Sequence, residues 1–367
     1  MADPLDPNGP SAHKGRGAAT NRTGRYEAQV REAVDDGWIL GEDLEPPAKP
    51  PTEIAIERPK SLLSRNNSPD LGFDRSVNPY RGCEHGCVYC YARPSHAWVG
   101  LSPGLDFETK ITVKKGATEV LARQLAKPGY TPAPVMVAGN TDAWQPVERE
   151  RAETRAILDL LAETRHPTLC VTKSALILRD IDLLAEMAAR NLVAVGISIT
   201  SLDRHLSRKL EPRAAAPERR LEVIKALSEA GIPVAVLVSP VIPFLNDWEL
   251  ERILEAAAKA GATSAHYVLL RLPLELKELF TEWLEVHAPG KKDHVLNLLT
   301  ESRNGQLYIP DFKTRMKGTG QHAELLAKRF KLAIRRYGLI LEGPDDKQLA
   351  SHLFKPPVPK GGQYGLF

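Results

Sequence analysis

The segment "NPYRGCEHGCVYCYARPSH", residues 78–96, places Cys83, Cys87 and Cys90 within eight residues, while the remaining cysteine, Cys170, lies far downstream. Thiolates are soft ligands that favour iron–sulfur clusters, zinc or copper(I), and three so close together converge when the backbone loops around one centre. Gly82 and Gly86 give the chain the freedom that such a loop needs. Three thiolates leave one corner of a four-iron cluster open to a ligand from outside the protein. The same residues also allow a zinc site completed by His85 or His96, because three cysteines and one histidine are an ordinary zinc set. A ferredoxin-type electron carrier would want a fourth cysteine close by. Cys170 sits instead in an apolar run, where a buried packing role is expected.

A body large enough to hold such a loop is available. The chain has 367 residues, 43% of them hydrophobic, enough for one large α/β domain or two ordinary ones with a sizeable core. No apolar run approaches the length of a membrane span, and "MADPLDPNGPSAHKGRG" lacks the apolar stretch of a signal peptide, so a cytoplasmic protein without a membrane partner is expected. Four cysteines, one of them remote, are not a disulfide framework. A net charge of +3 is too small by itself to argue for a nucleic-acid partner.

From about Ser76 the chain repeats one unit: an apolar run, a polar end, an amphipathic helix and often a glycine. The runs are near Ser76–Tyr80, then "APVMVAGNTD" (133–142), "TLCVTKS" (168–174), "LVAVGISITS" (192–201), "PVAVLVSPVIP" (233–243) and "SAHYVLLRLP" (264–273). Between them, Glu148 to Arg165 has Ile157, Leu160 and Leu161 on one helical face, Pro217 suits a first helical turn, Gly231 and Gly261 suit helix ends, and Asn246 with Glu249 has capping-box spacing. Such alternation predicts a parallel sheet with right-handed helical crossovers. Six units fall short of a closed eight-stranded barrel, so a partial (β/α)6 barrel is expected, with its site at the carboxyl ends of the strands. Residues 1–50 read as an irregular or disordered arm, 51–273 as the core domain, and 274–367 as a helical, basic C-terminal region with a tail. In the arm, Lys14, Arg16, Arg22 and Arg25 are opposed only by Glu27, and a solvated tail is the simpler reading.

The spacing Cys-x3-Cys-x2-Cys, with Tyr89 just before the last cysteine, resembles the signature of the radical S-adenosylmethionine (radical SAM) superfamily. Together with "SPDLGFDRSVNPYRGCEHGCVYCYARPSHAWVGLSPGLDFETKI", "NTDAWQPVER", "VTKSALILRD", "EPRAAAPERRLE" and "RLP", it is similar to an uncharacterised bacterial family related to spore photoproduct lyase, over about Gly15 to Leu341. The resemblance implies that Cys83, Cys87 and Cys90 hold a 4Fe-4S cluster. S-adenosylmethionine would chelate the fourth iron and be cleaved reductively to a 5'-deoxyadenosyl radical that abstracts hydrogen from a substrate. It also implies a low-potential electron donor such as ferredoxin or flavodoxin.

By the same resemblance, Lys173 is expected to meet the cofactor's carboxylate, Ser198 to contact the cofactor, and Tyr89 to pack near its adenine. Asn140, Thr141 and Asp142 end the second strand, where the superfamily receives the ammonium group, although Asp142 also suits a cap. Glu211, Arg213 and Arg271 are candidates for the substrate side, or structural ion pairs. The lyase carries a hydrogen-returning cysteine near the end of its second strand. "VAGNTDAW" has none, so the resemblance brings cofactors and leaves the substrate open, with nucleic acid as one class.

The C-terminal region reads as helical in "PLELKELFTEWLEVHAP" and "DHVLNLLTESRNG". Beyond these, Lys313, Arg315, Lys317, Lys328, Arg329, Lys331, Arg335 and Arg336 face only Glu324. Leu325, Leu326, Phe330 and Ile334 have helical spacing, so the basic groups would occupy the wet face of a packed helix, as a phosphate-binding surface or as a soluble one.

Overall fold

The computed structural model describes residues 12–27, 50–341 and 349–357. Ten strands are named in chain order: β1 (Glu53–Glu57), β2 (Leu63–Arg65), β3 (Arg75–Val77), β4 (Tyr80–Arg81), β5 (Lys110–Lys114), β6 (Val135–Val137), β7 (Thr168–Thr172), β8 (Val193–Ser198), β9 (Val234–Val241) and β10 (Ser264–Leu269). The main sheet runs β10-β9-β8-β7-β6-β3-β2. All its pairings are parallel except β2 with β3. The six parallel strands therefore lie side by side in chain order, the open partial barrel that the repeated unit predicts. A second small sheet, β1-β5-β4, was not expected; "EIAIE" and "KITVK" are too short to stand out as strands until they pair in parallel.

The helices take the places the pattern assigns. Pro217 begins the helix Pro217–Glu229, and Gly231 follows its end at positive φ. The predicted helix after β6 is broken at Ala152, which has φ 53° and divides Glu148–Arg151 from Glu153–Glu163. Ile157, Leu161, Leu184, Val223, Ile253 and Phe330 from successive helices share one core with the outer face of the sheet. Each such side chain contributes about 1.5–3 kcal/mol by leaving water. Cys170 belongs to this core and is buried in it.

Asn246 does not cap a helix as its spacing with Glu249 suggests. It is buried, accepts the Ile242 N–H at 2.6 Å, and donates to the carbonyls of Thr200 (2.7 Å) and Pro240 (3.1 Å). A fully satisfied buried amide is worth more here than a cap on an exposed turn.

Residues 12–27 of the arm contain no helix or strand, but they are not a solvated tail: Arg16, Gly17, Ala18 and Ala19 are buried. Arg22 pairs with Glu282, and Arg25 with Glu275 at 2.9 Å. The expectations for residues 1–11 and 28–49 lie outside the described residues.

The helices Leu276–His287 and Lys292–Glu301 form as predicted and carry Phe280, Trp283, Val295 and Leu299 onto Cys87, Val88 and Tyr89. The last long helix, Gly320–Tyr337, buries Leu326, Phe330 and Ile334, but Leu325 points outward and is 55% exposed. The basic groups are also less free than the sequence implies. Arg315 pairs with Asp70 at 2.6 Å and Arg329 with Glu251 at 2.7 Å, partners remote in sequence.

Candidate active site

Between β4 and the 3-10 turn Arg93–Val99 the chain forms the cysteine loop, which contains no helix or strand. Gly82 and Gly86 adopt positive φ, at 80° and 68°, as the loop requires. The loop is held by bonds to distant elements: Cys83 N–H to Phe107 O (3.0 Å), Val88 N–H to Leu210 O (3.1 Å), and Arg213 N–H to His85 O (3.2 Å). Cys83, Cys87 and Cys90 all lie at the carboxyl side of the parallel strands. Cys87 and Cys90 face a cavity of about 590 Å3, and Cys83 packs just behind against Ala92 and Phe107.

Burial raises all three thiols above the ordinary range. For Cys87 the result is about 12, with the Glu211 carboxylate adding to the rise and the Lys173 ammonium opposing it. Thiols so placed are poor free nucleophiles, and they ionise readily only when a cation or metal takes up the charge. Among the described residues no three His, Cys, Asp or Glu side chains are grouped as for a single metal ion. Of the two histidines proposed as a fourth ligand, His85 has its Nδ1 3.3 Å from Asp142, and His96 has its Nε2 3.2 Å from Lys110 O with its ring against Phe107, while His96 Nδ1 is buried without a hydrogen-bond partner.

Tyr89, Lys173 and Ser198 line the same cavity. Lys173 follows β7, and its Nζ lies 5.8 Å from the Tyr89 ring centroid. It makes no ion pair among the described residues. The Tyr89 hydroxyl donates to Glu211 and lies 3.0 Å from Thr200 Oγ1. Glu211 is buried against Arg220, whose Nη1 also donates to Ser198 O at 3.0 Å. Burial alone would raise the Glu211 carboxyl; Arg220, Lys173 and Thr200 more than reverse this and hold it at about 2. Glu211 is therefore a support for Tyr89 and not a substrate-side group. Arg213 pairs with Glu84 at 2.9 Å and is likewise structural. Arg271 does line the cavity, 5.5 Å over the Tyr91 ring.

Thr141 and Asp142 stand one layer behind the cavity wall. Thr141 Oγ1 donates to Gly82 O at 2.6 Å. Both Asp142 oxygens are committed to protein donors: Thr172 Oγ1 (2.7 and 2.9 Å), the Lys173 N–H (2.9 Å), the Trp144 N–H (2.9 Å) and His85. Burial would raise this carboxyl, but His85, the Lys173 amide and the Thr172 hydroxyl hold it at about 2. The cavity wall itself is formed by Ala138, Gly139 and Asn140.

Sequence reasoning missed Gln145, although it lies in the quoted "NTDAWQPVER". Fully buried, it accepts the Glu84 N–H at 2.8 Å and donates to Gly82 O and Thr141, tying the cysteine loop to the end of β6. Its polarity in an apolar stretch was the available signal.

The family model for the radical SAM superfamily matches residues 77–257. An uncharacterised protein of Mycobacterium tuberculosis is 37% identical over 277 residues, 75% of this chain and 80% of that protein. Another, from Methanocaldococcus jannaschii, is 30% identical over 246 residues, 67% of this chain and 88% of that one. Among solved structures, a spore photoproduct lyase variant superposes with a TM-score of 0.58 at 15% identity, covering 78% of this chain and 81% of that one. A further variant, solved with bound AdoMet and dinucleoside spore photoproduct, gives 0.57 at 14% identity, over 78% and 80%. At that identity the likeness is one of fold. No helix among the described residues is long and apolar enough to cross a membrane. Family model, relatives, fold and cysteine loop agree, and the chain belongs to the radical SAM superfamily, enzymes whose cofactors are a 4Fe-4S cluster and S-adenosylmethionine.

Proposed function

We propose that the protein is a cytoplasmic radical SAM enzyme that abstracts hydrogen from a nucleic-acid substrate, with Cys83, Cys87 and Cys90 as the cluster ligands. The observation that carries the reading is the cavity at the carboxyl ends of the parallel strands, lined together by Cys87, Cys90, Tyr89, Lys173 and Ser198. When bound, the cluster supplies the electron that splits S-adenosylmethionine into methionine and a 5'-deoxyadenosyl radical. The chain's residues then bind and orient. Lys173 offsets the cofactor's carboxylate, Ser198 offers a hydroxyl, and Tyr89, pinned by Glu211 and Thr200, presents a fixed ring to the adenine. Thr141 and Asp142 act indirectly, fixing the cysteine loop to β6 and β7, and leave the ammonium to the wall at 138–140. The core, 51–273, carries this chemistry, and the helices Leu276–His287 and Lys292–Glu301 of the C-terminal region back the loop. A ferredoxin or flavodoxin is the fitting reductant.

The charge of the cavity favours an anionic substrate. Arg65, Lys173, Arg271 and Arg315 line it, Arg315 being paired with Asp70, and none of the described lining residues is Asp or Glu. With Lys173 assigned to the cofactor, Arg271 remains a cation without an ion pair among the described residues. Arg315 and Met316 belong to the basic stretch that begins at Lys313, so that stretch reaches the lining of the cavity. A phosphate backbone passing this rim would meet successive cations.

Anaerobic reconstitution with dithionite tests the chemistry: a brown iron- and sulfide-containing protein should convert S-adenosylmethionine to 5'-deoxyadenosine and methionine. A colourless protein with stoichiometric zinc would overturn the reading. Single- and double-stranded oligonucleotides labelled with deuterium should then pass label into 5'-deoxyadenosine. Cleavage without label transfer from any nucleic acid would remove the substrate class and leave the cofactor chemistry standing.

A further inference from the structure

The family match begins at residue 77, yet residues 16–21 lie against the cysteine loop and none of them lines the cavity. Gly17 and Ala18 donate their N–H groups to the two oxygens of Glu108, at 2.9 and 2.8 Å. The same carboxylate pairs with Arg93, and neither side chain has measurable exposure. Arg93 in turn donates to Cys87 O (2.8 Å) and Gly86 O (3.1 Å), the carbonyls at the loop's centre. Arm and loop are thus joined through one buried ion pair.

The approach is too close for a side chain. A Cβ on Gly17 would lie 1.8 Å from Gly86 O, and a Cβ on Gly86 would lie 2.6 Å from Glu108 Oε2. A second contact repeats the device: a Cβ on Gly104 would lie 2.3 Å from Thr20 O. Beyond it, Asn21 and Asp106 exchange bonds of 2.9 Å each way. Arg16 completes the seam by donating to Glu108 O (2.9 Å) and to Thr52 (3.2 Å), which itself bonds Glu84 between Cys83 and Cys87 at 3.0 Å.

We propose that residues 16–21 are a strap that completes the cluster site from outside, with Gly17 and Glu108 as positioning residues for the Cys83–Cys90 loop. Loops with this little internal structure owe their shape to such outside bonds, and a loop released from them would hold the cluster less firmly. The inference rests on the cluster assignment above.

The full-length chain is reconstituted anaerobically as the parent, Gly17→Ala, Glu108→Gln and Arg25→Ala. The last breaks the Arg25–Glu275 pair on the same arm, away from the loop. The strap predicts that Gly17→Ala and Glu108→Gln bind less iron, bleach several-fold faster in air, and shift the midpoint potential and electron paramagnetic resonance of the reduced cluster, with unchanged far-ultraviolet dichroism. Arg25→Ala should match the parent. Parent-like iron, bleaching and potential in both loop-facing variants would overturn the strap, as would an equal loss in Arg25→Ala. A parent that takes up no cluster would overturn the cluster assignment and the strap with it.

Discussion

The Lys173 ammonium lies 5.8 Å from the centroid of the Tyr89 ring, so a cation from the end of β7 and an aromatic from the cysteine loop frame one side of the same cavity. Neither is close to the other in sequence, and both are held by groups further back. Lys173 is anchored through its own N–H on Asp142, and Tyr89 through its hydroxyl on Glu211. Lys173→Ala is expected to weaken S-adenosylmethionine binding roughly tenfold or more, since charge-assisted contacts contribute about 1.5–3 kcal/mol. Lys173→Arg should lose less. Equilibrium binding to reconstituted protein measures both, and unchanged affinity in the alanine variant would remove Lys173 from the site.

Replacing Cys83, Cys87 or Cys90 by Ala should abolish cleavage of S-adenosylmethionine and lower bound iron and sulfide. Cys170→Ala should keep both, because Cys170 packs between the sheet and its helices. Its cost should be stability alone, about 1 kcal/mol, read from denaturant unfolding. Iron and sulfide analysis of the four variants separates ligands from core.

Glu211 and Arg220 form a buried pair, and breaking it leaves a charge without compensation. Glu211→Ala should therefore destabilise the cluster-free protein by about 3–5 kcal/mol. Denaturant unfolding that matches the parent would show that the pair carries no such weight.

The same carboxyl sets a pH dependence. Glu211 is held at about 2 in the folded protein against an ordinary 4.5, and Asp142 at about 2 against 3.8. A depressed folded-state value stabilises the fold above the unfolded value and ceases to do so as pH falls through the folded one. Stability should therefore decline from roughly pH 4.5 down to pH 2, and the decline should be shallower in Asp142→Asn. Thermal unfolding across that range reads it.

If nucleic acid passes the rim, affinity should fall steeply with salt, and Lys313→Gln with Lys317→Gln should reduce the slope by roughly two units. Arg335→Gln with Arg336→Gln should leave it unchanged. Their helix runs about 27 Å from Gly320 and is followed by Ile340, which pairs with Ser264 at the opposite end of β10. Filter binding at several salt concentrations distinguishes these pairs, and a slope that responds only to Arg335 and Arg336 would move the interface off the cavity.

The local pattern was enough for much of this. Alternating apolar runs and helical faces define the six parallel strands, because each unit must bury one face and the crossovers have a fixed hand. The cysteine spacing and the polar strand ends point to the loop and to the carboxyl ends of the strands, because ligand chemistry and strand direction are written in residue types, while the family resemblance singles out Tyr89, Lys173 and Ser198 there. What tertiary structure alone decided is which polar groups face the cavity and which stand behind it. Asp142, Glu211 and Arg213 look in sequence like site residues, yet each is neutralised by partners from other elements. Arg271 has the same appearance and is left without an ion pair among the described residues. The strap is the clearest case: Gly17, Gly86, Arg93 and Glu108 carry no shared local signal, because their relationship is a set of contacts between positions up to 91 apart, and only the assembled fold brings them together.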